Sequence, residues 1–226
     1  MVYLKGTSIA WTCAYAALSG NLEILKYVRE NDCPWDSTTC AYAAKSGNLK
    51  VLKWARENGC DWDSTTCEEA ALGGHLEVLK WARYHGCEWN IFICRYAAMS
   101  GNLKVLKYIN NNFGSWDIMV CNDAAFNGHL QILKWAREND YPWNAQTCAN
   151  AARNCHLEVL KWARENGCNW DKSVCISAAM NGHLEVLKWT MKNGCTWDSE
   201  ISFEAKRNGH LHVLKWVQEN GYSYIK

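Results

Sequence analysis

The sequence predicts an all-α fold in which about eight helix–turn–helix units stack into an elongated solenoid. One 27-residue unit recurs along the 226-residue chain without insertion or deletion, and each copy holds two short apolar stripes at helical spacing. Asp or Asn precedes these stripes and Gly follows them in most copies. A unit this small buries its apolar face only against its neighbours, so a fixed period of this length indicates a solenoid. The copies start at Cys13, Cys40, Cys67, Cys94, Cys121, Cys148, Cys175 and Ser202.

The first helix of each unit is predicted to follow an Asp or Asn, because these side chains accept a hydrogen bond from an unpaired helix N–H. In the second copy, Cys40, Ala43 and Ala44 then form a stripe of small residues that permits close packing. A glycine in the left-handed conformation is expected to end the helix. Cys155 replaces it once, where a Cβ disfavours that conformation. The predicted caps are Asp36, Asp63, Asn90, Asp117, Asn144, Asp171 and Asp198.

The second helix is predicted to begin after Asn or His and to bury a stripe such as Leu49, Leu52 and Ala55. A short connector containing Trp then returns the chain to the next unit, so this Trp is expected to cover the seam between units. The segment 110–114 departs from the usual sequence and is expected to reshape the fourth unit. The residues that open the second helices are Asn21, Asn48, His75, Asn102, His129, His156, His183 and His210.

Composition is typical of a folded protein, with 49% hydrophobic residues, 21% charged residues and a formal net charge of +1. This balance gives no long-range attraction to nucleic acid or to an anionic membrane. The sequence lacks the apolar run of about 20 residues that a membrane span needs, and its start lacks the features of a signal peptide. We therefore expect a cytoplasmic protein, with the nucleus left open.

Thirteen cysteines fall mostly into two columns of the repeat. Stacked helices lie about 8–10 Å apart, whereas bridged cysteines need Cα atoms within about 7 Å, so pairing along a column is not expected. Pairs inside one unit, such as Cys60 with Cys67, remain open. Ligands spread along an array do not converge on a metal ion. The prediction is buried, reduced thiols that pack as small hydrophobic side chains.

The unit resembles the ankyrin repeat in all eight copies. The string T-T-C-E-E-A-A-L-G-G-H-L-E-V-L-K-W, Thr65 to Trp81, is similar to the family's T-P-L-H-x-A-A-x-x-G-H-L-E-V-V-K-L. The Pro and His of that motif are absent, and the period is shorter than the family's 33 residues. The loss falls between Asp63 and Thr65, so the connectors are expected to lack full β-hairpins. Short units rich in Trp and Cys look like those of giant amoeba viruses and some protists.

The resemblance implies a non-catalytic scaffold that binds a partner protein on a concave face formed by the first helices and the connectors. It implies no cofactor and no metal, and a viral protein of this kind would act in the host cytoplasm. No nucleophile–base arrangement, phosphate-binding glycine loop or carboxylate pair is recognisable, so we expect no enzyme. In the family, the two positions after Ala-Ala often touch the partner. Here they are Leu18/Ser19, Lys45/Ser46, Leu72/Gly73, Met99/Ser100, Phe126/Asn127, Arg153/Asn154, Met180/Asn181 and Arg207/Asn208.

Large apolar residues interrupt the repeat pattern on this face, and the connectors 91–93 and 118–120 are apolar where other copies are polar. An exposed apolar patch with a polar rim usually marks an interaction site. Burial of these side chains by the shortened connectors is the open alternative. A monomer is expected, with self-association through the patch also left open. The candidate partner-binding residues are Leu72, Phe92, Met99, Met119, Phe126, Arg153, Met180 and Arg207.

An alternative function is nucleic-acid or carbohydrate binding through exposed rows of Trp and Lys. Because acidic residues share helices with the recurring Lys, that Lys column is interpreted as a solvated surface. The chain is predicted to form a single repeat domain over 1–226. Residues 1–12 form an N-terminal cap with Tyr3, Leu4, Ile9 and Trp11, and 202–226 form a C-terminal capping repeat with Lys206.

Overall fold

A computed structural model describes residues 10–114 and 117–222. The chain forms two compact units, unit 1 within residues 1–115 and unit 2 within residues 116–226. The helices of unit 1 are α1 (Ala10–Leu18), α2 (Leu22–Glu30), α3 (Ser37–Lys45), α4 (Leu49–Glu57), α5 (Ser64–Leu72), α6 (Leu76–Tyr84), α7 (Ile93–Ser100) and α8 (Leu103–Phe113). Those of unit 2 are α9 (Ile118–Phe126), α10 (Leu130–Glu138), α11 (Ala145–Arg153), α12 (Leu157–Glu165), α13 (Lys172–Met180), α14 (Leu184–Lys192), α15 (Ser199–Arg207) and α16 (Leu211–Glu219). The residues described here include no strand, and the predicted all-α class is confirmed.

Each unit has two layers, because odd-numbered helices pack on odd-numbered neighbours and each even-numbered helix packs on the helix before it. Cys40, Ala43 and Ala44 are fully buried between α3 and its neighbours. These small side chains let first helices approach one another closely, while second helices lie farther apart. The layer of first helices is therefore the narrow side of each unit. Whether 1–226 acts as one repeat domain stays a prediction.

The predicted caps of the first helices are confirmed at every position but one. Asp36, for example, accepts a hydrogen bond from the Thr38 N–H at 3.0 Å. The prediction is wrong at Asn90, since α7 begins only at Ile93 and Phe92 occupies the cap position. The Asn90 side chain instead accepts from the Phe92 N–H at 3.0 Å and donates to Glu68 of the preceding repeat.

Glycines in the left-handed conformation end the first helices, as predicted. Gly47 has a φ of 72° and Gly128 a φ of 77°. Cys155 adopts the same conformation, with a φ of 63°, and its side chain is exposed. The segment 110–114 lengthens α8 to 11 residues, and Gly114 ends it with a φ of 65°. The fourth repeat is thus reshaped at its second helix, as expected.

Side chains that open the second helices tie each repeat to the one before it. Asn48 Nδ2 donates to the Gly20 carbonyl at 2.7 Å, while its Oδ1 accepts from the Val51 N–H and caps α4. His75 Nε2 lies 3.0 Å from the Lys45 carbonyl but makes no cap hydrogen bond to α6. Asn therefore caps its helix and also forms a hydrogen bond to the preceding repeat, which we call the tie. His forms the tie but does not cap its helix. The ring of His75 also fills the space that a Cβ on Gly47 would occupy, since that atom would lie 2.5 Å from Nδ1.

Connector tryptophans cover the seams within each unit, as predicted. The Trp35 ring meets Trp54 of the next repeat edge-on, with ring centroids 5.8 Å apart. The Arg29 guanidinium lies 4.1 Å from the Trp35 centroid, so each Trp is enclosed by its own repeat and by the next one. The equivalent ring pairs are Trp62–Trp81, Trp143–Trp162 and Trp170–Trp189.

Of the predicted cap residues at the start of the chain, Tyr3, Leu4 and Ile9 lie outside the described residues. Trp11 lies in α1 with its ring centroid 6.3 Å from those of Tyr15 and Tyr42. At the other end, Lys206 of α15 is exposed.

The cysteines pair in a way that the sequence prediction missed. Cys175 and Cys195 are joined by a disulfide, so the prediction of reduced thiols throughout is wrong there. Cys60 lies beside Cys40, 20 positions earlier, and is hydrogen-bonded to it. The second helix folds back on the first, which brings the residue after it to the start of its own repeat.

Candidate functional site

The candidate residues of unit 1 lie at the two ends of first helices. Phe92 precedes α7 and Met99 lies near its end, and their side chains are 46% and 37% exposed. Together with Arg95 and Tyr96 they line a groove of about 360 Å³. Leu72 closes α5 in the same column as Met99 and is half-buried. The structure thus brings Phe92 and Met99 to one groove.

The sequence left open whether the side chains of the apolar connectors are exposed or buried, and the structure shows some of each. Ile93 and Val120 are fully buried, while Ile91 is 63% exposed. Met119 is half-buried at the start of α9, and Asn122 Nδ2 lies 3.7 Å from its sulfur. In each connector the last residue is therefore buried in the core, and the residues before it remain at least partly accessible to solvent.

In unit 2, four of the five candidate residues close a first helix. Phe126 ends α9 and is 41% exposed. Arg153 and Arg207 are exposed at the ends of α11 and α15, and Met180 is half-buried at the end of α13. Arg207 lies 3.5 Å from the Glu204 carboxylate of the same helix. Within this unit the column combines apolar side chains with guanidinium groups.

The backbone of this variable column is held by the ties between repeats. His156 Nε2 lies 3.0 Å from the Phe126 carbonyl, and His183 Nε2 lies 2.9 Å from the Arg153 carbonyl. Each tie fixes the carbonyl of a residue whose side chain differs from repeat to repeat. A constant histidine thereby positions a variable side chain.

Sequence reasoning missed a second column, two residues after the first cysteine of each repeat. Tyr15, Tyr42 and Tyr96 occupy it in unit 1, and their repetition was the signal that could have found them. The Tyr15 and Tyr42 ring centroids are 6.1 Å apart. Burial and the adjacent Glu68 carboxylate, to which its hydroxyl is hydrogen-bonded, raise the pKa of Tyr96.

A charged pair separates the two aromatic groups of unit 1. Lys45 Nζ lies 3.0 Å from Glu69 Oε2 and 6.0 Å from the Tyr42 ring centroid. Glu69 takes the place that tyrosine holds in the other three repeats of this unit. The face of unit 1 is therefore aromatic at both ends, with an ion pair between them.

The rows of Trp and Lys, on which the alternative function depends, are occupied by contacts within the protein. Lys80 pairs with Glu77 at 2.9 Å, and Lys134 lies 5.9 Å from the Trp162 ring centroid of the next repeat. Arg164 covers the Trp170 ring at 4.7 Å. The Lys134–Trp162 contact joins neighbouring repeats, and the other two lie within one repeat. Base or sugar stacking would have to displace them.

Residues 10–114 and 117–222 contain no group of three His, Cys, Asp or Glu side chains placed to hold a metal ion. None of their helices combines the length and the apolar character needed to cross a membrane.

Comparison with known proteins finds similarity to one repeat family. A family model described as "Ankyrin repeats (many copies)" matches residues 40–83 and 148–189. A search of curated proteins found no match. The crystal structure of the human ASB11 ankyrin repeat domain aligns with a TM-score of 0.54 and 18% identity, over 70% of this chain and 84% of that one. The family model thus matches one segment in each unit, and the fold is that of an ankyrin repeat domain.

Proposed function

We propose that this protein is a non-catalytic scaffold that binds a partner protein on the concave face formed by its first helices and connectors. Ankyrin-repeat proteins generally act as protein–protein interaction scaffolds and are typically not enzymes. The proposal adds the face and the residues. Phe92 and Met99 in unit 1 and Phe126 in unit 2 are its main apolar contact residues, and Leu72, Met119, Arg153, Met180 and Arg207 are further contact residues.

One observation carries this proposal. Phe92 and Met99 stay 46% and 37% exposed around a groove, whereas Ile93 next to Phe92 is fully buried. Exposed large apolar residues beside polar ones mark interaction sites. Arg95 and Tyr96 line the same groove, and Arg, Tyr and large apolar anchors are the residue types that dominate binding energy at interfaces.

The ties between repeats support the same proposal for unit 2. The residues that carry its variable side chains have their backbone carbonyls held by histidines, so the backbone there is positioned before a partner binds. Preorganised contact residues lose little conformational entropy on binding. We expect Phe126, Arg153 and Met180 to contribute in this way.

Site-specific photo-crosslinking tests the proposal. A benzophenone amino acid replaces Met99 or Phe126, and the matched control places it at Tyr84, which is 86% exposed at the end of a second helix. In cells that make the protein, positions 99 and 126 should crosslink to one protein that position 84 does not capture. Crosslinks of equal yield at all three positions, or only at position 84, would contradict the proposed face.

Crosslinks to nucleic acid from the Trp and Lys rows would favour the alternative function instead. Its binding would weaken steeply with added salt, because phosphate contacts release counterions. A salt-independent protein crosslink at position 99 separates the two functions.

A further inference from the structure

Two columns of cysteine come together in the fold with a constant offset of 20 residues. The first column lies near the start of each first helix, and the second directly follows the glycine or aspartate that ends each second helix. All the paired thiols are buried. The reduced pairs are Cys13/Cys33, Cys40/Cys60, Cys67/Cys87 and Cys148/Cys168.

The thiols contact the backbone around their partners. Cys13 Sγ donates to the Cys33 carbonyl at 3.6 Å and Cys40 Sγ to the Cys60 carbonyl at 3.9 Å. The Cys60 thiol donates to the Asp36 carbonyl at 3.2 Å. The second cysteine makes the same carbonyl contact at 3.2 Å in the third and sixth repeats, from Cys87 to Asp63 and from Cys168 to Asn144. The arrangement is therefore built into the repeat.

A fifth pair with the same offset is already oxidised. Cys175 and Cys195 are joined by a disulfide, and their Cα atoms are 6.7 Å apart. Bridged cysteines usually have Cα separations of about 4.4–6.8 Å. The four reduced pairs hold the same two positions of the repeat as this bridged pair.

We propose that these four dithiol pairs are oxidation sites, which close to disulfides within single repeats by exchange with a low-molecular-weight disulfide of the glutathione class. The thiolate of the second cysteine attacks one sulfur of that disulfide, whose S–S bond breaks and releases one small thiolate. The first cysteine then attacks the protein sulfur of the mixed disulfide and releases the second. Two protein thiols are oxidised and one small disulfide is reduced to two thiols, which take up both protons.

The polarity of the Cys40/Cys60, Cys67/Cys87 and Cys148/Cys168 pairs fits this order of attack. The hydrogen bond from Cys40 lowers the pKa of Cys60, and the same contact, with burial, raises the pKa of Cys40. Cys168 is lowered in the same way by Cys148. Since the thiolate is the nucleophile in exchange, the second cysteine attacks and the first resolves. Burial means that exchange requires a repeat to open or to be still folding.

Two repeats supply internal controls. Cys94 and Cys121 occupy the first column, but the positions 20 residues later hold Gly114 and Tyr141. Both thiols are buried, and burial raises the pKa of Cys121 to about 12. These two cysteines, together with exposed Cys155, should stay reduced when all pairs have closed.

Disulfide mapping tests the proposal on the full chain. The protein is unfolded in urea with a reductant, refolded in a mixture of reduced and oxidised glutathione, alkylated and digested for mass spectrometry. We expect the five linkages 13–33, 40–60, 67–87, 148–168 and 175–195, with alkylation only at Cys94, Cys121 and Cys155. Native-like helical circular dichroism with thirteen alkylated cysteines, or linkages between different repeats, would overturn it.

Single substitutions guard against chance linkages. Cys60→Ala should leave Cys40 alkylated and the other four linkages intact, while Cys94→Ala should leave the map unchanged. The oxidised protein should also unfold at a higher urea concentration than the reduced protein, by a smaller margin in Cys60→Ala. Re-pairing of Cys40 with another cysteine, or an equal urea midpoint before and after oxidation, would show that the repeat geometry does not direct these bonds.

Discussion

Unit 1 and unit 2 build the same two layers but join their repeats with different side chains. In unit 1, Asn48 and Asn102 each cap a second helix and tie it to the preceding repeat. In unit 2, all four second helices begin after histidine, and those of His156, His183 and His210 only tie. A hydrogen bond to the previous repeat is thus what this position must supply, and the helix cap is an addition.

The units also differ on the face of their first helices. One column holds Tyr15, Tyr42 and Tyr96 in unit 1, whereas unit 2 has Asp123, Asn150, Ser177 and Glu204 there. The columns that hold the stack are nearly constant in both units. The residue types of this column therefore differ between the two units, whereas those of the packing columns do not.

The largest effect should come from adding a methyl group at the joint. Gly128→Ala places a Cβ 2.6 Å from His156 Nδ1, while Gly167→Ala meets no atom within 4 Å; both have positive φ. The left-handed backbone costs both variants about 1–2 kcal/mol, and overpacking adds about 1–3 kcal/mol at Gly128. Gly74→Ala, 3.0 Å from Asn102 Nδ2, should fall between them. Equal losses of unfolding free energy in urea would refute this account of the joint.

Substituting the residues that open the second helices should separate the two roles of asparagine, the helix cap and the tie to the preceding repeat. Asn102→Ala loses a tie worth about 0.5–1.5 kcal/mol and a cap worth about 1 kcal/mol. His156→Ala loses only the tie. Asn21→Ala, which caps α2 and ties to no described residue, should cost about as much as His156→Ala. Urea denaturation of the three variants measures this order, and a larger loss for His156→Ala than for Asn102→Ala would reverse the comparison.

Restoring glycine at position 155 should stabilise unit 2. Cys155 is the only described non-glycine residue that ends a first helix with a positive φ, here 63°. Cys155→Gly relieves that strain and should add about 1 kcal/mol. Cys155→Ser keeps the Cβ and is the control. If thermal unfolding gave the same midpoint for the glycine and serine variants, backbone strain would not be the reason.

Acid should weaken unit 2 slightly more than unit 1. Burial, the largest cause, lowers the pKa of His156 from 6.5, and the neighbouring His129 and His183 lower it further. The folded state thus favours neutral imidazole, and its contribution is present above pH 6.5 and is lost as the pH falls toward the folded-state pKa. With partial exposure the loss should stay below about 1 kcal/mol. Hydrogen exchange, corrected for intrinsic rates, should rise first in unit 2, and His156→Asn should reduce the difference.

The helices were predictable because their caps and glycines act locally. Asp36 and Gly47 depend only on their own repeat, and the sequence pattern placed them correctly. The prediction failed at Asn90, whose side chain accepts from the Phe92 N–H as a cap would, but α7 begins only at Ile93. The partner of Cys40 was missed because only the fold-back of the second helix brings Cys60 to it. In the candidate site, the exposure of Phe92 and Met99 depends on the conformation of the connectors. The sequence of the shortened repeat does not predict that conformation.

The dissociation constant of the partner identified by crosslinking tests the central claim most directly. Isothermal titration would compare the unaltered protein with Phe92→Ser, Met99→Ser and the control Tyr84→Ser, each checked by thermal unfolding. Truncating a buried anchor at an interface commonly costs more than about 1 kcal/mol of binding free energy. We therefore predict that the dissociation constant rises about tenfold in the first two variants, while their thermal unfolding midpoints stay unchanged. Unaltered affinity in both, or weakening that follows a lower thermal midpoint, would contradict the claim that these residues form the binding face.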